Sequence, residues 1–100
     1  MSFLEDRSKT DWQSLDSEHY LHPFTDHKDL GNKSRIIAKA DGVYVYDIEG
    51  NQILDGMSGL WCVNIGYGRS ELSEAAATQL NELPYYNSFF QCANPPSIEL

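Results

Sequence analysis

The sequence predicts an α+β fold: an N-terminal helix, a three-strand antiparallel meander, and a second helix. Three observations predict it. Trp12, Leu15 and His19 recur at helical spacing behind a polar start signal. Two turn signals, Asp41-Gly42 and Glu49-Gly50-Asn51, bracket a strand-like run. Leu72, Ala75, Ala76, Gln79, Leu80 and Leu83 form an apolar stripe that starts at Ser70 and stops at Pro84.

In chain order, Thr10 and Gln13 fit the N-cap and N3 positions of a capping box, so a helix is expected over about residues 11–19. Pro23 ends it and pushes His22 into an extended conformation. Thr25 or Asp26 can cap a short turn through Leu30, which Gly31 and Asn32 close. Residues 35–40, 43–48 and 52–54 read as strands. Tyr44, Tyr46 and Ile48 share one face of the middle strand and Val43 and Val45 the other, so both faces are expected to be covered. Ser70 is the expected N-cap of the second helix, with Glu71 and Glu74 in its first turn. Asn94-Pro95-Pro96-Ser97 reads as a further helix start, followed by too few residues to nucleate a stable helix in water. The chain is therefore expected to be the N-terminal piece of a longer polypeptide. Residues 1–34 are read as a helical arm. Residues 35–100 are read as the first part of a small domain, with aromatic segments at 55–69 and 84–93.

The chain has 100 residues, enough for one thin core. Its net charge is −8, and beyond Lys39 the only Lys or Arg is Arg69. No basic stripe exists to bind nucleic acid or an anionic membrane surface, so neither is an expected partner. No apolar run approaches the roughly 20 residues that span a bilayer. The polar start at Met1–Lys9 does not read as a secretory leader, and Cys62 and Cys92 lack a CxxC partner. These features predict reduced thiols and a cytoplasmic setting.

The aromatic and glycine segments carry the most information. Residues 55–69 read Asp-Gly-Met-Ser-Gly-Leu-Trp-Cys-Val-Asn-Ile-Gly-Tyr-Gly-Arg, and Pro84-Tyr85-Tyr86-Asn87-Ser88-Phe89-Phe90 follows. Neither fits a regular strand or helix. Apolar area left in water is unfavourable by about 25 cal/mol per Å². Trp61, Tyr67, Tyr85, Tyr86, Phe89 and Phe90 therefore need cover from a ligand, another subunit, or more polypeptide. Composition favours core packing for Leu60 and Trp61. Gly56, Gly59 and the irregular pattern favour a pocket wall for a small organic substrate. Tyr85, Tyr86, Phe89 and Phe90 fit a core and a subunit interface equally.

Other candidate chemistry is weaker. Gly66-Tyr67-Gly68-Arg69-Ser70-Glu71 precedes a helix but is not GxGxxG, and its acids would repel a phosphate. His19, His22 and His27 straddle Pro23 without sharing a helical face, so no metal site is expected. Cys62 has no basic neighbour to activate it. No Ser-His-Asp set and no carboxylate pair is apparent. The residues describe a pocket or interface surface without a catalytic engine.

The segment Asp55–Gly68 resembles the N-terminal region of class III pyridoxal-phosphate aminotransferases. The match is best in the ω-amine:pyruvate branch, which includes putrescine and polyamine:pyruvate enzymes. His22-Pro23-Phe24-Thr25-Asp26, Glu49-Gly50-Asn51 and Leu83–Phe90 fit that branch in the same order, so the resemblance runs from about Asp11 to Leu100. The triplet Gly59-Leu60-Trp61 fits this branch better than the diaminopelargonate branch.

The resemblance implies part of the small domain of a fold type I, α/β homodimer with active sites at the subunit interface. It implies the cofactor pyridoxal 5'-phosphate and transfer of an amino group from a primary amine to pyruvate, giving alanine and an aldehyde or ketone. Trp61 and Leu60 would line the substrate pocket, Phe24 would close it, and Phe89 and Phe90 would be offered to the partner subunit. The chain's lysines are Lys9, Lys28, Lys33 and Lys39. The resemblance places the Schiff-base lysine and the phosphate-binding groups well downstream, and none of these lysines sits in a dry pocket context that would activate it, so no residue here is expected to be catalytic or cofactor-binding. Two alternatives stand beside this: a class III enzyme with another donor, and a stand-alone interaction domain.

Overall fold

A computed structural model describes residues 7–100. They form two compact units, one ending at Gly68 and the other running from Arg69 to Leu100. In the first unit, helix α1 (Lys9–His19) and the short helix α2 (His27–Leu30) precede strands β1 (Ile37–Asp41), β2 (Tyr44–Asp47) and β3 (Gln52–Leu54), and a single turn, α3 (Ser58–Trp61), follows. The second unit holds α4 (Ser70–Glu82) and α5 (Pro95–Glu99).

α1 starts earlier than the sequence reading placed it. Its N-cap is Ser8, not Thr10. The Asp11 N–H donates to Ser8 Oγ at 3.2 Å, and the Ser8 N–H donates back to Asp11 Oδ2 at 3.0 Å. An aspartate at N3 thus closes a box usually closed by Glu or Gln. Gln13, expected to complete that box, instead donates to the Ser34 carbonyl at 2.8 Å and ties α1 to the segment entering β1. α2 is capped by Asp26, whose Oδ1 accepts from the N–H groups of Lys28 and Asp29. Gly31 closes it at φ 53°.

The strands form the expected antiparallel meander, in the order β1-β2-β3. Tyr44 pairs with Leu54, and Val45 with both Ala40 and Ile53. An irregularity between Ile37 and Lys39 shifts the β1 register. The turn into β3 is built on one side chain. Asp47 Oδ1 accepts from the N–H groups of Glu49 and Asn51, at 3.0 and 2.9 Å, and Asp47 Oδ2 accepts from Asn51 Nδ2. These bonds, those from Asn51 foremost, hold the Asp47 carboxyl below the usual carboxylate range.

The expectation that β2 is covered on both faces is not met. Tyr44 and Val43 are exposed, and Val45, Tyr46 and Ile48 are only half-buried. The strands pack edge to edge, and no described helix of this unit lies flat on the sheet. Apolar patterning marks which side chains would accept cover; it does not supply the covering layer. Among the described residues the only buried one is Ser34, 6% exposed, and no apolar side chain is buried.

In the second unit, Ser70 is the first helical residue of α4 rather than its cap. Arg69 occupies the cap position with extended backbone and engages Glu71 in the first turn. α4 ends at Glu82, where Leu83 turns extended ahead of Pro84. Its apolar stripe stays open, with Leu72 and Leu80 more than half exposed. α5 starts as expected, with Asn94 Oδ1 accepting from the Ser97 N–H at 3.1 Å. A recess of about 260 Å³ lies between the end of α4 and α5, lined by Gln79, Glu82, Leu83, Pro95, Pro96 and Glu99.

Two outcomes follow from this arrangement. The 100-residue chain alone should bind an apolar dye such as anilinonaphthalene sulfonate and unfold without a sharp transition in urea, because its apolar faces lack cover; a cooperative, dye-silent transition would contradict this. Asp47→Ala should raise amide exchange at Glu49 and Asn51 by roughly tenfold, because each N–H loses its acceptor; exchange at Asp55, whose N–H bonds Val43 on the other side of β3, should not change.

Candidate functional site

Five residues are candidates from the sequence, and the structure gives four of them an unusual backbone. Phe24 (φ 49°), Leu60 (φ 63°), Trp61 (φ 70°) and Phe90 (φ 57°) all occupy the left-handed region. The same region holds only two other described non-glycine residues, Ser58 and Gln91, each adjacent to the candidate segments. A side chain there costs on the order of 1–2 kcal/mol relative to the right-handed conformation. Such conformations persist only where surrounding contacts impose them, and they concentrate at functional sites.

The turn α3 is the extreme case. Ser58, Gly59, Leu60 and Trp61 are consecutively left-handed, with φ of 50°, 59°, 63° and 70°. Their backbone bonds close one helical turn of the opposite hand: Trp61 N–H to Met57 O at 2.9 Å and Cys62 N–H to Ser58 O at 2.9 Å. Met57 and Cys62 on either side return to right-handed values. Trp61 emerges 87% exposed, and Leu60 is also exposed.

Contacts from outside the turn converge on it. β3 delivers Asp55, whose own N–H donates to the Val43 carbonyl at 2.9 Å. Asp55 Oδ2 accepts from the Gly59 N–H at 2.8 Å and from the Tyr67 hydroxyl at 2.5 Å. Tyr67 is fixed in turn by a two-way backbone bridge to Gly42: its N–H donates to Gly42 O at 2.8 Å, and Gly42 N–H donates to Tyr67 O at 3.0 Å. Gly66, at φ 86°, permits this bridge, since a Cβ there would stand 2.9 Å from Gly42 O. Gly59 is required for a second reason besides its φ. A Cβ on it would meet Val63 Cγ2 at 2.9 Å and the Tyr67 hydroxyl at 3.0 Å.

The hydroxyl of Tyr67 holds the Asp55 carboxyl below its usual range, helped by the turn's amides, and Asp55 raises the Tyr67 phenol above its own. A carboxylate with a lowered pKa contributes stability above its unfolded value and loses it as pH falls through the lowered one. A phenol with a raised pKa contributes below its unfolded value and loses it as pH rises through the raised one. The pair is therefore intact across the neutral range and opens only in acid or strong alkali. Beside it lies a recess of about 390 Å³ lined by Gly42, Val43, Asp55, Ser58, Val63, Asn64, Ile65, Gly66 and Tyr67. None of the five candidate residues lines it.

Phe24 is fully exposed on the loop between α1 and α2. That loop is held by polar contacts the sequence did not suggest. His22 Nε2 sits 2.9 Å from both oxygens of Asp16, and the His22 N–H donates to His27 Nε2 at 3.0 Å. The imidazole of His22, followed by Ser34, lowers the Asp16 carboxyl. Phe89 and Phe90 are the only candidates whose rings are shown in contact, with centroids 6.4 Å apart at 54°. Asn87 Oδ1 accepts from the Phe89 N–H at 3.0 Å, and the left-handed pair Phe90-Gln91 carries the chain on to Cys92. Both rings are exposed. Of the aromatic residues expected to need cover, Tyr67 alone finds much of it within the chain. Among the described residues, no group of three His, Cys, Asp or Glu side chains could hold a metal ion, and no helix is long and apolar enough to cross a membrane.

The sequence reading missed Asp55 as a site residue and took Tyr67 only as a ring in need of cover. Nothing local marks them as a pair, because they are twelve positions apart and joined across an irregular loop.

Comparison with known proteins adds identity to this geometry. The family model described as "Aminotransferase class-III" matches residues 26–99. A putrescine–pyruvate aminotransferase of Pseudomonas aeruginosa is 62% identical over 91 residues, covering 90% of this chain and 20% of that protein. A vanillin aminotransferase of Capsicum annuum is 45% identical over 80 residues, covering 80% of this chain and 17% of its own. Among solved structures, an (S)-enantioselective ω-transaminase from Thermomicrobium roseum superposes with TM-score 0.86 at 40% identity, covering 93% of this chain and 21% of that one. An ω-transaminase from Pseudomonas jessenii in complex with PMP gives TM-score 0.82 at 35% identity, over 87% of this chain and 19% of that one. The chain thus spans about a fifth of the length of the relatives it matches. With the family model matched across the meander, the left-handed turn and both helices of the second unit, this chain belongs to the class-III aminotransferases.

Proposed function

We propose that the protein carrying this chain is a transaminase that moves an amino group from a primary amine to pyruvate, giving alanine and an aldehyde or ketone. The amine is a diamine, a polyamine or an ω-amino acid. The observation that carries the reading is the coincidence of exposed apolar side chains with left-handed backbone at Phe24, Leu60, Trp61 and Phe90. The 62% identity to a putrescine–pyruvate aminotransferase supports the choice of donor and acceptor.

Members of this family depend on pyridoxal 5'-phosphate, which supplies the electron sink for transfer of the amino group. The described residues of this chain do not fit that group. Lys9 pairs with Glu49, and Lys28, Lys33 and Lys39 are all exposed, so none is in the dry setting that activates a lysine. The start of α4 carries Glu71 engaged by Arg69, where a phosphate would need free positive charge.

The role assigned to this chain is to shape the donor pocket. Leu60 and Trp61 form an apolar wall along the donor's carbon chain, and Phe24 closes it from the arm formed by residues 1–34. Phe89 and Phe90 serve the partner subunit of a homodimer, which would give the open rings their cover. Residues 35–100 form the first part of the small domain, and the enzyme works in the cytoplasm. An apolar wall without hydrogen-bond donors selects by length and girth rather than by functional group. A thermostable ω-transaminase variant with one tryptophan replaced by glycine, 35% identical to this chain with TM-score 0.83, is described as engineered for asymmetric synthesis of enantiopure bulky amines, which supports a tryptophan as the girth-setting side chain. The vanillin aminotransferase relative, named for an aromatic aldehyde, favours a second reading, in which the donor is an arylmethyl amine with its nitrogen on a saturated carbon beside the ring.

The test is alanine formation from pyruvate by the full-length enzyme, with putrescine, a longer polyamine, an ω-amino acid and an arylmethyl amine as donors. Di- and polyamines should lead. Trp61→Ala should lower kcat/KM for putrescine by about 10–100-fold and the value for the arylmethyl amine by less, as expected for an apolar pocket contact. An arylmethyl amine that leads in the unaltered enzyme selects the second reading. Absence of alanine with every donor overturns both.

A further inference from the structure

We propose that Asp55 and Tyr67 are positioning residues for donor selectivity: through the Gly59 N–H they fix the left-handed turn that presents Leu60 and Trp61, while touching no substrate themselves. The inference rests on the reading of Leu60 and Trp61 as the donor wall.

The hand of the turn is the quantity that needs explaining. Ser58, Leu60 and Trp61 all prefer the right-handed conformation, so the free segment would relax to it. The bonds within the turn, from Trp61 N–H to Met57 O and from Cys62 N–H to Ser58 O, do not choose the hand. A right-handed turn of the same residues would make bonds of the same kind. The choice must come from outside the turn, where Asp55, Val63 and Tyr67 surround Gly59. The Asp55 carboxylate accepts from the Gly59 N–H; Val63 Cγ2 and the Tyr67 hydroxyl lie 2.9 and 3.0 Å from where a Gly59 Cβ would stand, and of these the hydroxyl is bonded to the same Asp55 oxygen, which makes the polar pair the directional contact.

Both anchors are referenced to the sheet. Asp55 leaves β3 with its N–H on Val43, and Tyr67 is bridged in both directions to Gly42, the neighbouring residue of the β1–β2 turn. The direction of Trp61 is thereby fixed relative to the hairpin and not merely to its own loop. Loss of the Tyr67 hydroxyl leaves the Asp55 carboxylate on the Gly59 N–H without its tie to the bridged ring, and removes one of the two groups beside Gly59. The turn then populates other conformations, and the wall loses its shape for a slender donor first.

The experiment uses the full-length holoenzyme labelled with fluorotryptophan, with Trp61→Phe identifying the Trp61 signal. Tyr67→Phe keeps the ring and removes the hydroxyl. It should shift or broaden the Trp61 fluorine resonance. It should also lower the ratio of kcat/KM for putrescine over an arylmethyl amine by roughly five- to tenfold, the scale of one hydrogen bond, with cofactor absorbance retained. Asp55→Asn should do the same, and the double variant should cost less than the sum of the two. Lys39→Gln, exposed on β1, should leave the resonance and the ratio unchanged. An unmoved Trp61 resonance in both variants overturns the proposal, whatever the activity. So does a uniform loss across donors with an unchanged ratio, which a merely structural role would produce. An unaltered enzyme that transfers no amine at all overturns the reading of function instead, and the resonance then decides the positioning separately.

Discussion

One carboxylate oxygen carries the candidate site. Asp55 Oδ2 accepts from the Tyr67 hydroxyl and from the Gly59 amide, and between those bonds hangs a turn that L-residues otherwise avoid. The rest of the local architecture serves that oxygen. β3 places Asp55, the Gly42–Tyr67 bridge places the phenol, and the glycines at 59 and 66 make room where a Cβ would strike a neighbour. An ionised acceptor makes this stronger than a neutral hydrogen bond would be, and the lowered carboxyl pKa reflects the same contact.

The second constraint is absence of cover. Across the described residues no apolar side chain is buried, although the helices and the sheet are locally well formed. Capping side chains and turn carboxylates hold these elements: Ser8 and Asp11, Asp26, Asp47, Asn94. Such contacts specify shape and contribute little of the free energy that apolar burial contributes in a closed domain. The open stripe of α4 and the rings at 85–90 are consistent with a segment that spends its apolar area on surfaces outside itself.

Local signals were legible in the sequence wherever the cause was local. Asp26 and Asn94 cap the helices they precede because an N-cap acts within three residues. The meander followed from turn residues at 41–42 and 49–51. Ser8 displaced Thr10 as the first cap because Asp11 can close a box that the pattern reserves for a longer side chain. Ser70 yielded the cap position to Arg69, whose partner in Glu71 has no place in propensity rules. The left-handed turn was invisible, since Ser58, Leu60 and Trp61 carry no mark of their backbone and its cause sits at residues 55 and 67. Cover for β2 is not legible in the sequence, because alternation reports which face is apolar, not what lies against it. Leu60, Trp61, Phe24, Phe89 and Phe90 were singled out through family resemblance. Residue chemistry alone left them divided between core, pocket and interface.

The backbone at positions 60 and 61 has a consequence for how such a pocket can change. Enlarging a binding site commonly weakens a protein, because removing a well-packed side chain leaves a cavity. Here the side chains point into solvent within the chain and stand on dihedral angles that glycine or asparagine tolerate better. Replacing either by glycine relaxes the main chain at the same stroke that widens the space beside it. If Leu60 and Trp61 wall a donor pocket as proposed, a change to glycine there widens it while lowering the conformational energy of the turn.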